Sequence, residues 1–223
     1  MTREKLQREG AEIIVHGNDW MEANTFAQSI CKEKGVCFVH PFDHPLIWEG
    51  HASLIHEVKA SGIKPDAVVV AVGGGGLLCG IIQGLHEVGW SDVTVFTAET
   101  SGAASLAESV KAGKLITLDK IDTIALSLGA RRVAEQAFEW THKHSVIPLV
   151  VSDAQAVNAV FQFAEDHRVL VEPACGAALA AVYDKNPELM NYEKILIVVC
   201  GGCSVNLDLL EKWKEIFGKP IEN

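Results

Sequence analysis

The sequence predicts an α/β protein with a mostly parallel sheet and helices on both faces of it. Three observations carry that expectation. The run Ala67-Val68-Val69-Val70-Ala71-Val72 holds no polar residue and is rich in valine, as suits a parallel strand covered on both sides. Further strand-like runs, mostly apolar, recur at 93–98, 147–151 and 194–200, with helical spacing between them. No hairpin turn signal joins any two of these runs, so strands alternate with helices throughout.

The elements follow in order. Residues 4–9 read as the tail of a helix and 12–16 as a short strand. Residues 19–34 read as a helix with Ala23, Phe26, Ala27 and Ile30 on one face, and 36–40 as a second strand. The stretch 41–51, with Pro41 and Pro45 among aromatic and polar residues, reads as a loop, either a crossover near a site or an ordinary packed loop. A helix is expected over 52–61. After the valine strand come Gly73, Gly74, Gly75 and Gly76, then Leu77, Leu78, Ile81, Ile82, Leu85 and Val88 at helical spacing, with Gly89 as a stop.

Residues 103–112 read as a helix, 114–118 as a short extended piece, and 124–130 as an apolar loop leading into a helix over 131–144. Ser152 or Asp153 is placed to cap a helix running to about Asp166. Residues 171–181 form a turn into a helix of small side chains, able to lie close against a sheet. A last helix is expected over 207–217.

With 48% hydrophobic residues in 223, the chain can bury a sizeable core. A net charge of −10, without a basic stripe or aromatic platform, argues against nucleic acid as a partner. No apolar run is long enough to span a bilayer and the start is polar, so no membrane partner is expected. Six scattered cysteines fit a cytoplasmic protein with reduced, buried thiols.

Chemistry concentrates at a few places. Four glycines between a buried strand and an apolar helix free the backbone for close approach to a ligand, and a helix start offers N–H groups to an anion. A phosphate on a cofactor fits this better than a turn that needs glycine for shape alone. The stretch matches neither the dinucleotide fingerprint nor a P-loop, so a nucleotide is not the expected ligand.

Glu99 ends a strand at the edge where ligands bind in open α/β sheets, but a helix N-terminal acid or a solvated loop residue is the preferred reading of Glu99 alone. Cys200-Gly201-Gly202-Cys203 spells C-x-x-C, yet it follows the last strand and has no second pair for zinc; Cys31 and Cys175 stand alone. A Cys200 that faces the cleft, with glycines admitting a ligand, is the preferred reading. Pro41 and Pro45 prevent His40 and His44 from sharing a helical face, so a metal pair is not expected there. His142 and His144 suit a solvated helix end.

These pieces together resemble a known family. Val72-Gly73-Gly74-Gly75-Gly76-Leu77, Glu172-Pro173-Ala174-Cys175-Gly176-Ala177-Ala178 and Val198-Val199-Cys200-Gly201-Gly202 are similar to the pyridoxal-phosphate L-serine dehydratases and L-threonine deaminases of fold type II. Pro41-Phe42-Asp43 and Leu46-Ile47-Trp48-Glu49-Gly50-His51 share the likeness, which runs from about Leu6 to about Phe217.

The resemblance implies that Gly73, Gly74, Gly75, Gly76 and Leu77 hold the cofactor phosphate and that Cys200 faces the pyridine nitrogen. It also implies a monovalent-cation (K+) site made of Glu99 with backbone oxygens near Gly73, Ala103, Leu128 and Ala130. The implied reaction converts L-serine to pyruvate and ammonia, and L-threonine to 2-oxobutanoate and ammonia. The implied assembly is a homodimer.

The family's Schiff-base lysine precedes a Ser-x-Gly-Asn-type loop, and neither is present. Lys59, Lys111, Lys185 and Lys212 sit in polar sequence surroundings, unlike a desolvated catalytic amine. The expectation is therefore an incomplete enzyme. Residues 1–40 would be a remnant of a small αβ domain and 41–223 a large cofactor domain with an exposed sheet edge, complemented by an N-terminal segment. The rival readings are a related β-replacing or racemising enzyme and an inactive or regulatory fragment that pairs with a full-length subunit.

Overall fold

The computed structural model describes residues 2–217. Its elements are α1 (Thr2–Arg8), α2 (Trp20–Lys34), α3 (Pro45–Ala60), β1 (Ala67–Ala71), α4 (Gly76–Glu87), β2 (Thr94–Thr100), α5 (Ser105–Ala112), α6 (Glu135–Lys143), β3 (Val146–Val151), α7 (Asp153–His167), α8 (Pro173–Tyr183), β4 (Ile195–Ile197) and α9 (Leu207–Phe217). The strands form one sheet in the order β3-β2-β1-β4. Every pairing is parallel, as the alternation of strands and helices requires.

Both faces of the sheet are covered. Val68, Val70 and Val72 point into a core shared with Ile55 of α3 and Leu78, Ile81, Ile82 and Leu85 of α4. Ala67, Val69 and Ala71 point the other way, onto Ala156 and Val160 of α7 and the small residues of α8. All five β1 residues are buried, which explains why the strand is an unbroken apolar run rather than an alternating one. The small-residue helix does pack closely, and against α7 as well as the sheet. A Cβ on Gly176 would lie 2.1 Å from the Ala156 oxygen. Ser152 caps α7, and Gln155 completes a reciprocal capping box.

Several expectations need correction. Residues 12–16 and 36–40 are not strands. They run without a ladder partner, leaving Ile14, Val15, Val36 and Val39 exposed. A strand is stabilised by its neighbour, and neither segment has one among the described residues.

Most of 41–51 is helix rather than loop. Pro45 is the first residue of α3, where its missing N–H costs nothing, and His44 caps the helix by accepting from the Leu46 N–H. The second strand extends through Glu99 to Thr100, because it pairs with β3 along its whole length. The helix expected from 131 starts at Glu135, and the last strand is only Ile195–Ile197. The thiols are not uniformly buried: Cys79 and Cys175 are, while Cys37, Cys200 and Cys203 are exposed. Cys37 lies on an unpaired segment and Cys200 and Cys203 follow the end of β4. Among the described residues, no helix is long and apolar enough to cross a membrane.

Candidate functional site

A cavity of about 400 Å³ opens at the carboxyl ends of β1 and β4. This is the edge of an open α/β sheet at which ligands bind. The glycine turn forms one wall. Gly75, with φ +88°, sits just before α4 in a conformation that suits glycine.

The N–H groups of Gly73, Gly74, Gly75, Gly76, Leu77 and Leu78 find no acceptor among the described residues; the first intrahelical bond is Cys79 N–H to Gly75 O at 2.9 Å. A run of free donors at the positive end of a helix dipole fits a phosphate. The glycines are also required by contact. A Cβ on Gly74 would meet the Phe42 ring at 2.3 Å, and one on Gly76 would meet the Phe42 oxygen at 2.4 Å.

Phe42 is held in place from several sides. The indole N–H of Trp48 donates to its carbonyl at 2.8 Å. The Trp20 ring lies 4.8 Å from the Phe42 ring, centroid to centroid. His40 Nδ1 accepts from the N–H groups of Phe42 and Asp43, at 3.2 and 2.7 Å. This places the Pro41-Phe42-Asp43 stretch at the site. It also accounts for His40 and His44 as a turn residue and a cap. Among the described residues, no group of three or more His, Cys, Asp or Glu could hold a metal ion. His51 on α3 also lines the cavity, with its pKa lowered by burial.

Cys200 and Glu172 also line the cavity. Glu172 accepts from the Ser127 hydroxyl at 2.8 Å, and from the backbone N–H and hydroxyl of Ser204. It thereby ties together three segments far apart in sequence. Cys200 is not paired with Cys203. Its sulfur lies 3.6 Å from that of Cys175, while the Cys203 sulfur lies 3.8 Å from Lys5 Nζ. The hydrogen bond from the Cys200 thiol draws the Cys175 thiol down to about 7, and the shared proton holds the Cys200 thiol up.

Glu99 is fully buried on β2. Its two carboxylate oxygens accept from the N–H groups of Leu106 and Ala107, at 2.8 and 2.7 Å, in the first turn of α5. Desolvation nevertheless raises its pKa to about 7. The structure thus places it as the helix N-terminal acid, one of the two roles preferred for Glu99 from its sequence position alone. The buried hydroxyls of Thr97 and Thr100 on the same strand, and of Ser105 at the start of α5, have no partner among the described residues.

Of the other residues implied for a cation site, Gly73 lies against Leu128: a Cβ on the glycine would be 3.1 Å from the Leu128 Cα. The Ala103 oxygen accepts from Ser105 N–H, and the Leu128 oxygen accepts from Ala130 N–H. No lysine is among the residues lining the cavity.

Sequence reasoning missed the Cys175–Cys200 contact and the Glu172 hub. The only signal for either was that Glu172 and Cys175 open one helix while Cys200 ends a strand.

Comparison with known proteins agrees with this geometry. Residues 1–201 match the family model described as pyridoxal-phosphate dependent enzyme. The chain is 46% identical over 228 residues to an L-serine dehydratase/L-threonine deaminase of Bos taurus, covering 98% of this chain and 70% of that protein. It is 41% identical to an L-serine dehydratase of Dictyostelium discoideum, covering 94% of this chain and 65% of that protein. A fungal L-serine ammonia-lyase from Rhizomucor miehei superposes with a TM-score of 0.90 at 35% identity, over 96% of this chain and 70% of that one. With a sheet-edge cradle suited to a phosphate and relatives of this kind along nearly its whole length, the chain belongs to the fold-type-II pyridoxal-phosphate-dependent enzymes.

Proposed function

We propose that the chain forms the cofactor-binding part of an L-serine/L-threonine ammonia-lyase, which eliminates the β-hydroxyl of the amino acid and yields pyruvate or 2-oxobutanoate with ammonia. The observation that carries this reading is the run of N–H groups at Gly73, Gly74, Gly75, Gly76 and Leu77 that find no acceptor among the described residues, on residues that line the same cavity as Cys200. Bound pyridoxal phosphate supplies an electron sink for negative charge at the substrate Cα.

The chain's own residues act around it. Gly73, Gly74, Gly75, Gly76 and Leu77 direct N–H groups at the phosphate, as the start of α4 favours an anion. Phe42 and the loop carrying Ser127 and Leu128 flank the space between. Cys200, whose thiol is held neutral, would face the ring nitrogen and would not protonate it as a carboxylic acid does. The weaker sink favours prompt loss of the hydroxyl over reactions that need a long-lived carbanion.

Glu99, with backbone oxygens of Gly73, Ala103, Leu128 and Ala130, is assigned to a monovalent-cation site, K+ by preference. A cation there would answer the buried carboxylate.

The covalent anchor and the proton transfer at Cα are assigned to a lysine outside this chain, because none lines the cavity among the described residues. A complementing N-terminal segment is the proposed source, docking on the edge of β4, which among the described residues pairs only with β1, near the exposed Val199 beside Phe163, Tyr183 and Leu179. In this reading residues 1–40 belong to a small domain and 41–223 to the large one, the assembly is a homodimer, and the location is cytoplasmic.

The test is pyruvate release from L-serine with pyridoxal phosphate and potassium. The chain is assayed alone and mixed with a separately made N-terminal segment. Activity only in the mixture supports the proposal. Activity in neither favours an inactive or regulatory fragment, the reading that the lysine-free cavity also admits. Activity of the chain alone overturns the assignment of the lysine.

A further inference from the structure

We propose that Cys175 and Cys200 form a dithiol modification site that a hydroperoxide converts to an intramolecular disulfide. This goes beyond the reaction proposed above and does not depend on it.

The two sulfurs lie 3.6 Å apart across 25 residues of sequence. Cys175 is fixed on one side of the contact. It sits in the first turn of α8, its N–H donates to Glu172 O at 2.9 Å, and its sulfur accepts from Gly201 N–H at 3.2 Å. Cys200 lies beyond the end of β4 in irregular backbone, and Gly201 after it is tied to the same turn by the Cys175 sulfur and by Glu172 N–H to Gly201 O at 3.2 Å, which keeps the two sulfurs adjacent. A modest movement of that segment brings the sulfurs to bonding distance.

Access differs in the same sense: Cys175 is fully buried, whereas Cys200 is exposed and lines the cavity of about 400 Å³. That space admits a small peroxide to one sulfur and not the other. The pair also gives up its first proton readily, since the remaining proton is shared between the sulfurs.

The other thiols lack this arrangement. The Cys203 sulfur is beside Lys5, the Cys31 sulfur is 3.9 Å from the Cys37 oxygen, and burial pushes the Cys79 thiol up to about 12. Among the described residues, no other two sulfurs are recorded in contact.

The steps balance. The proton that rests on the Cys200 thiol passes across the 3.6 Å contact to the Cys175 sulfur, and the Cys200 thiolate so formed attacks one peroxide oxygen. An S–O bond forms, the O–O bond breaks, and the departing oxygen leaves as water after taking a proton from solvent. Cys175 sulfur then attacks Cys200 sulfur. The S–S bond forms, the S–O bond breaks, and hydroxide leaves with the Cys175 proton as a second water. Two thiols are oxidised by two electrons and one hydroperoxide is reduced.

The experiment treats the purified chain with equimolar hydrogen peroxide, blocks free thiols under denaturing acid quench, and maps peptides without reduction. The expected product has lost two of its six titratable thiols. It is lighter by two hydrogens and contains one cross-linked peptide pair joining Cys175 to Cys200. Dithiothreitol restores both thiols. The Cys203→Ser variant, altered at an exposed position, gives the same cross-link. A disulfide between Cys200 and Cys203 overturns the proposal. So does oxidation of Cys200 to sulfinic acid while Cys175 remains fully alkylatable. Because the readout is a cross-link formed without cofactor or substrate, it is independent of whether the ammonia-lyase reading holds.

Discussion

Replacing Glu99 with glutamine separates what a buried charge costs from what a buried cap contributes. The carboxyl group is completely buried, and desolvation raises its pKa from 4.5 to about 7 against the opposing hydrogen bonds from Leu106 and Ala107. The folded state therefore binds this proton more tightly than the unfolded chain does. Its contribution to stability is full below the unfolded pKa of about 4.5 and is lost as pH rises through about 7.

A shift of that size corresponds to about 3 kcal/mol of stability lost across the window. Glutamine does not titrate, and it keeps one acceptor where the carboxylate has two. At pH 4.5 the E99Q variant should be less stable than the parent by about 1 kcal/mol. By pH 8 the difference should have moved by about 3 kcal/mol in the variant's favour. Urea unfolding of both proteins at the two pH values, with choline as the only added cation, measures this directly. Subtracting the variant removes the contribution of the histidines. A difference independent of pH would refute the reasoning. Replacing choline with potassium should stabilise the parent at pH 8 and leave E99Q unchanged if the cation assignment is correct.

Other substitutions test other links. Gly76→Val places side-chain carbons into the Phe42 backbone, which a single Cβ already meets at 2.4 Å, and should abolish binding of inorganic phosphate at the cradle, measured by calorimetry. Ser152→Ala removes one half of the α7 capping box and should lower the unfolding free energy by about 1 kcal/mol in urea titration. Arg131→Ala removes the ion pair that holds Asp19, the cap of α2, at 3.2 Å, and should speed proteolytic cleavage within residues 9–19 without changing the urea midpoint of the sheet core. Leu85→Ala, at a fully buried position, should cost about 2–5 kcal/mol in the same unfolding assay.

The parts of this architecture legible in the sequence are those set by local patterning. β1 is recognisable because burial on both faces leaves no polar residue, and α4 because its apolar positions recur at helical spacing. The glycine turn is legible as a cradle because no ordinary turn needs four glycines in succession. The parts that were not legible depend on what lies across space. Residues 12–16 and 36–40 have strand composition, yet without a neighbouring strand they do not form a ladder. Pro45 was read as breaking helical structure, when its position at the start of α3 makes it a helix initiator. Glu99 shows the same limit. A carboxylate ending a strand favours a helix N-terminus or a solvated loop over a ligand, but only the fold puts the N–H groups of Leu106 and Ala107 within reach. Cys175 looked solitary because its partner is 25 residues away on another element.

The central claim is that the N–H groups following β1 hold the cofactor's phosphate. The most direct measurement is the phosphorus resonance of pyridoxal phosphate, recorded with the chain and with its Gly76→Val variant. The account predicts a shifted, broadened resonance with the parent chain, displaced by inorganic phosphate, and a free-ligand resonance with the variant. A free-ligand signal with both proteins, or an equally shifted signal with both, would contradict it.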